Sequence, residues 1–90
     1  MATHIKTDGT EDQVFPAKGK KFTLLELQTL VGGYIERVTT RDRRNMIVNE
    51  GGVILGLDPN PRARAIIDPK YFLADNMIRG NVVVCEKGEF

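Results

Sequence analysis

Serine and tryptophan are absent from the 90 residues, and cysteine and histidine occur once each, as Cys85 and His4. Without serine there is no serine nucleophile and no triad built on one. A single cysteine allows no internal disulfide, which fits a reducing compartment. One histidine and one cysteine cannot furnish a Cys/His zinc site. Neither a Walker-type phosphate loop nor a Gly-x-Gly-x-x-Gly turn is present. Charge of one sign is also lacking. Thirteen Lys and Arg against twelve Asp and Glu leave +1, too little for wholesale duplex binding and not the profile of an acidic mimic. No apolar run approaches the ~20 residues of a membrane span, and Met1–Lys6 lacks the apolar stretch of a signal peptide. The expectation is a cytoplasmic protein without membrane or metal, and not an enzyme.

Ninety residues suit one small domain, 1–90. A chain this short buries about two thirds or less of its unfolded surface, so self-association would help it, and a homo-oligomer is expected. Cys85 closes the run Val82-Val83-Val84-Cys85 and reads as a small buried hydrophobe. His4 reads as a solvated surface residue. Asp58, Asp68, Asp75, Glu36 and Glu50 show no calcium-loop spacing and read as surface charge.

The local patterns predict an α+β fold, a twisted, mainly antiparallel sheet carrying one amphipathic helix and one short helix. Residues 1–21 are expected to form a hairpin and a basic loop, with Thr3–Thr7 as an edge strand, Asp8-Gly9 in the turn and Gln13–Phe15 returning up to Pro16. Thr23 and Glu26 match a capping box, Phe22 and Leu27 suit a hydrophobic staple, and Gly32-Gly33 supplies the stop, which gives a helix over 24–31. Its apolar stripe holds Leu24, Leu27, Leu30 and Val31, with Leu25 on the far side. Strands are predicted over 34–39, 45–49 and 82–85, the last continuously apolar as in a central strand covered on both faces. Asn60 is a good N-cap and Pro61 a good first residue for a short helix over about 61–67. Periodicity leaves 53–57 and 70–77 open between strand, helix and loop.

Four constellations are candidates for binding, and each reads two ways. Arg41, Arg43 and Arg44 share one charged turn, while Arg62 and Arg64 open the short helix behind Asn60-Pro61. Guanidinium forks suit phosphate, and Arg62 and Arg64 are favoured because the helix start would converge amides and forks on one anion. The plain alternative is solvated charge. Asn60 is either a cap alone or a ligand contact. Tyr34, beside Gly32-Gly33, is either a core tyrosine or a stacking platform. Leu25, Tyr71-Phe72-Leu73 and Phe90 either complete the core or form a self-association surface.

Phe22-Thr23-Leu24-Leu25-Glu26-Leu27-Gln28, Val31-Gly32-Gly33-Tyr34-Ile35-Glu36, Val48-Asn49-Glu50-Gly51, Gly56-Leu57, Asn60-Pro61-Arg62-Ala63 and Gly80-Asn81-Val82-Val83-Val84 together resemble a family of small proteins of unknown function carried by phages, plasmids and bacterial genomes. The pattern covers 22–86. The resemblance implies a common fold and a phage or mobile-element setting, hence a host cytoplasm, and no activity. With that setting, the leading expectation is a non-enzymatic protein that binds a small phosphate-bearing, nucleotide-like ligand and sequesters an immune signal. The site residues would be Arg62, Arg64, Asn60, Tyr34, Arg41, Arg43 and Arg44, with no cofactor. The alternative is an inhibitor or adaptor acting on a host protein through a sheet edge or apolar patch. Single-stranded nucleic-acid binding through Lys18, Lys20, Lys21 and Phe22 is weaker, because net charge is near zero and aromatics are few.

Overall fold

The computed structural model describes residues 1–74 and 78–90, and the expectation for 70–77 therefore falls partly outside the described residues. Five strands form one antiparallel sheet: β1 (Ala2–Ile5), β2 (Glu11–Val14), β3 (Ile35–Thr39), β4 (Asn45–Asn49) and β5 (Val82–Cys85). Their spatial order is β2-β1-β5-β4-β3. Two hairpins thus flank β5, which enters last and fills the centre. All four of its residues are buried, as a strand covered on both faces must be. The strand at the N-terminus is not an edge strand: β1 pairs with β2 on one side and β5 on the other, and β2 takes the edge.

Helix α1 (Leu24–Val31) crosses one face of the sheet between the two edges. Its start is a capping box, in which the Glu26 amide donates to Thr23 Oγ1 at 3.1 Å and the Thr23 amide to Glu26 Oε1 at 2.8 Å. Gly32 ends it at φ +82°, the left-handed conformation that glycine adopts most cheaply. Leu27, Val31 and Phe22 pack with Ala2, Ile47, Val83 and Cys85 on this face. Leu24, assigned to the buried stripe by period, is exposed, because the stripe meets the sheet only from Leu27 onward. His4 also differs from its solvated expectation. It lies half-buried on β1 under the same helix, where Nε2 donates to the Leu30 carbonyl at 2.9 Å.

The opposite face is covered by α2 (Pro61–Ile66) and a 3-10 segment, Pro69–Ala74. Ala63, Ile67 and the partly buried Ile66 and Tyr71 pack there on Ile5, Val38, Met46, Val48, Val82 and Val84. The alternation of a two-residue period sorts the sheet into these two clusters: Val82 and Val84 face α2, Val83 and Cys85 face α1. Burial pushes the Cys85 thiol up to about 12, which leaves it a protonated, inert core group at neutral pH. Residues 53–56 are neither strand nor helix but hydrogen-bonded turns.

Candidate functional site

At the start of α2 the side chain of Asn60 is buried and engaged in three directions. Its Nδ2 donates to the carbonyls of Ile5 at 3.1 Å and Gly80 at 3.0 Å, and its Oδ1 accepts the Ala63 amide at 3.1 Å. The residue therefore ties β1, α2 and the turn before β5 together, and presents nothing to a ligand. Arg62, exposed at the rim, closes both Nε and Nη2 on the Glu11 carboxylate of edge strand β2. Arg64 stands two residues further along a helix that turns about 100° per residue, so it points about 200° away from Arg62. The two guanidinium groups cannot share one anion at this helix start.

The turn at 40–44 is better fixed than its sequence suggests. Thr40 Oγ1 donates to Asp42, the Arg44 amide donates back to Thr40 Oγ1 at 2.9 Å, and the Arg41 amide reaches the Ile66 carbonyl at 2.9 Å. Hydrogen bonds from Thr40 and Arg44 hold the Asp42 carboxyl below its usual range. Arg43 takes a left-handed φ of +68° to close the loop. Arg44 donates through Nε to Asp42 at 3.0 Å and lies 3.7 Å from Glu86. Of the seven residues singled out, Arg44 and Arg62 are brought together. They border one depression of about 370 Å³ whose floor is Thr3, Ile5, Val84 and Ile66. Both arrive already compensated by carboxylates. Arg41, Arg43 and Arg64 do not line this depression, and Tyr34 lies at the opposite edge of the sheet, 75% exposed rather than in the core.

A second surface has no counterpart among those candidates. Between β4 and α2 the chain turns at 50–56 and projects Val53, Ile54 and Leu55 outward. Ile54 is 92% exposed, the most exposed of the large hydrophobic side chains among the described residues. The turn is nevertheless well built. The amides of Leu55, Gly56 and Leu57 donate to the carbonyls of Gly51, Val53 and Gly52 at 2.8, 3.1 and 3.0 Å. Gly52 lies so close to the turn before β5 that a Cβ there would sit 2.8 Å from the Arg79 carbonyl oxygen, and Arg79 Nη1 donates to the Leu57 carbonyl at 2.9 Å. Under Val53 and Ile54 is a depression of about 250 Å³ with Val38, Val48, Tyr71 and Ile78 at its base and Glu36 and Glu50 at its rim. Neither carboxylate has an ion-pair partner among the described residues. From 45 to 61 there is no Lys or Arg, whereas Glu50 and Asp58 are exposed. Arg79 lines the same depression with its guanidinium turned to the Leu57 carbonyl, so the result is an aliphatic knob flanked by two unpaired carboxylates and one backbone-bound cation.

A family model, the domain of unknown function DUF3846, matches residues 6–90. The chain belongs to this family. No curated protein and no solved structure matches it. The family match takes in the hairpin turn, β2 and the basic loop as well as the 22–86 stretch that carries the resemblance. Among the described residues no cluster of three or more His, Cys, Asp or Glu is placed to hold a metal, and no helix is long and apolar enough to cross a membrane.

The residues behind the resemblance turn out to specify the fold. Thr23, Glu26 and Gly32 set the ends of α1, and Asn60 joins three elements. Asn49 is a second such clamp: Nδ2 donates to the Val31 carbonyl at 3.1 Å, Oδ1 accepts the Gly51 amide at 2.8 Å, and the side chain lies so close to Gly33 that a Cβ would meet it at 2.9 Å. Sequence reasoning missed the knob at 53–55 because three aliphatics are too few to show a period. The signal was their setting: Gly51-Gly52 before them and Gly56 after them allow neither a strand nor a helix that would bury them.

Proposed function

We propose that this protein is a non-enzymatic interaction module, an inhibitor or adaptor that docks on a host protein through the turn 50–56. One observation carries this reading: a hydrogen-bonded turn holds three consecutive aliphatic side chains in water. Full burial of one such side chain is worth about 1.5–3 kcal/mol, and a fixed backbone keeps the ordering cost of docking low. The unpaired Glu36 and Glu50 beside the knob suit a partner with an apolar pocket and a basic rim, and like-charge partners are disfavoured. The resemblance supplies the setting, a phage or mobile element acting in a bacterial cytoplasm. The test is recovery of complexes from the host with tagged wild type and with Ile54→Asp. A partner retained by wild type and lost by the equally stable variant supports the reading; identical recoveries reject it.

A second reading keeps a small phosphate-bearing ligand, such as a nucleotide signal to be sequestered. It is favoured by the convergence of Arg44 and Arg62, far apart in sequence, on one depression with an apolar floor. It is weakened by Glu11, Asp42 and Glu86, which an anion must displace or lie against. Thermal-shift screening against linear and cyclic nucleotides separates the two. A nucleotide-induced rise in melting temperature that Arg62→Ala removes would move the ligand reading ahead of the adaptor.

A further inference from the structure

The surface along β2 and α1 carries a pattern of its own. Among the described residues, edge strand β2 has no neighbour on its outer side. Between it and α1 runs a groove of about 540 Å³ lined by Val14, Phe15, Phe22, Leu25 and Leu30, with Phe15 64% and Leu25 71% exposed. Along the chain at this edge the charges are ordered: Asp8, Glu11 and Asp12 come first, then apolar Val14-Phe15, then Lys18, Lys20 and Lys21. We propose that this edge is the contact between two copies of the chain, related by a two-fold axis near Val14–Phe15.

A segment that runs acidic, apolar, basic is complementary to itself when turned antiparallel. With a two-fold axis near Val14–Phe15, the acidic turn and strand of one copy, Asp8, Glu11 and Asp12, face the basic loop of the other, Lys18, Lys20 and Lys21. The apolar centre then meets itself, and Phe15 and Leu25 of each copy enter the groove of the other. This is an isologous contact, in which one patch serves both partners and the assembly closes at two. Within one chain Lys6 pairs with Asp12 at 2.7 Å and Arg62 pairs with Glu11, which offsets part of the acidic half. Asp8 has no ion pair among the described residues, and hydrogen bonds from the Thr10 hydroxyl and amide hold its carboxyl below the usual range. Lys18, Lys20 and Lys21 are exposed and have no ion-pair partner among the described residues. The two halves therefore keep opposite signs. An edge strand left bare also needs cover, and a second copy supplies it. The knob at 53–55 follows β4, packs on the turn before β5 and lines no part of this groove, so it stays accessible in such a dimer.

Sedimentation velocity from about 1 μM to several hundred μM covers contacts with a Kd in the micromolar range. Wild type is expected to pass from the 10.1 kDa monomer to a dimer, less readily at high salt. Phe15→Asp and Leu25→Asp, both at exposed positions, should weaken association at least tenfold with melting temperatures unchanged. A sharper test uses two charge-reversed chains. One carries Lys18→Glu, Lys20→Glu and Lys21→Glu; the other carries Asp8→Lys and Asp12→Lys. Neither should self-associate, and an equimolar mixture should form a one-to-one dimer. A wild-type monomer across the whole range overturns the proposal. So does a wild-type dimer that Leu25→Asp and Phe15→Asp leave intact, or a mixture of the two folded reversed chains that stays monomeric. Ile54→Asp should leave the dimer unchanged, which separates failure here from failure of the docking turn.

Discussion

The start of α2 and the turn just before it, ten residues or fewer apart in sequence, have opposite fates. Asn60-Pro61-Arg62 carries the residue types from which binding sites are made, and the fold consumes them: Asn60 spends its amide on three backbone groups, and Arg62 spends its fork on Glu11. Val53-Ile54-Leu55 carries the residue types from which cores are made, and the fold leaves them in water. Polar groups near a helix start have fold-building partners within reach, because the orphan amides and neighbouring carbonyls need satisfying. Aliphatic groups on a turn too short to fold back have none. A free surface is therefore better recognised by what remains unsatisfied than by residue type.

The largest effect expected is on the consumed side of this comparison. Asn60→Ala strands the Ile5 and Gly80 carbonyls and removes the cap on Ala63 N. Loss of a cap costs about 1 kcal/mol and each stranded buried group about 1–3 kcal/mol. Thermal denaturation should show a fall in Tm of well over 10 °C, at about 4–8 °C per kcal/mol for a domain of this size. A fall of only a few degrees would mean that water replaces these contacts and that the position is open enough for a ligand after all.

On the exposed side, Gly52→Ala tests whether the turn is held or merely drawn in place. Its Cβ would press on the Arg79 carbonyl oxygen, a backbone atom that cannot swing aside. A clash of this kind costs about 1–3 kcal/mol. Amide exchange should rise at Leu55, Gly56 and Leu57, whose hydrogen bonds define the turn. Unchanged exchange would remove the argument that the knob is preorganised.

Helix α1 gives an intermediate case, because its polar start is consumed at the surface. Thr23→Ala should cost about 1 kcal/mol. The Glu26 carboxyl is pulled below its usual value by the Thr23 and Ala17 amides that donate to it. Its folded value lies below its unfolded one, so its contribution is present above the unfolded value of about 4.3 and is lost as pH falls through the folded one. Melting temperatures followed from about pH 5 to about pH 2 should thus decline less in Glu26→Gln than in wild type, with the difference opening below that unfolded value.

Much of the fold was legible in the sequence. The capping box and Gly32 fixed α1, the apolar run 82–85 identified a central strand, and Asn60-Pro61 placed the start of α2. Strand order was not legible, since no local pattern says that the last strand inserts between two hairpins and so displaces β1 from the edge. His4 was misplaced for the same reason: its burial depends on a helix arriving from further along the chain. At the candidate site, the arginines were visible but their partners were not. Glu11 lies 51 positions from Arg62, and Glu86 is likewise far from Arg44 along the chain, so compensation of these charges is a tertiary fact.

The smallest effect on stability is expected where the effect on function should be greatest. Ile54 is almost wholly in water in the folded chain, as it is in the unfolded one, so little hydrophobic stabilisation is lost when Ile54→Asp is made. The turn's hydrogen bonds run through the backbone of Gly51, Gly52, Val53, Leu55, Gly56 and Leu57, none of which the substitution alters. The added carboxylate joins Glu50 and Asp58, exposed charges whose mutual repulsion in water is a fraction of a kcal/mol and is screened by salt. Melting temperature should change by no more than about 2–4 °C, the range that corresponds to the usual ±0.5 kcal/mol of surface substitutions. Docking into an apolar pocket, by contrast, would require burying an unpaired charge, which costs several kcal/mol. The pairing of an unaltered melting curve with a lost partner is the result that marks a surface left free for binding. A melting temperature lowered by 5 °C or more would show that Ile54 is packed in solution, and the turn would then belong with the start of α2 among the parts the fold has used.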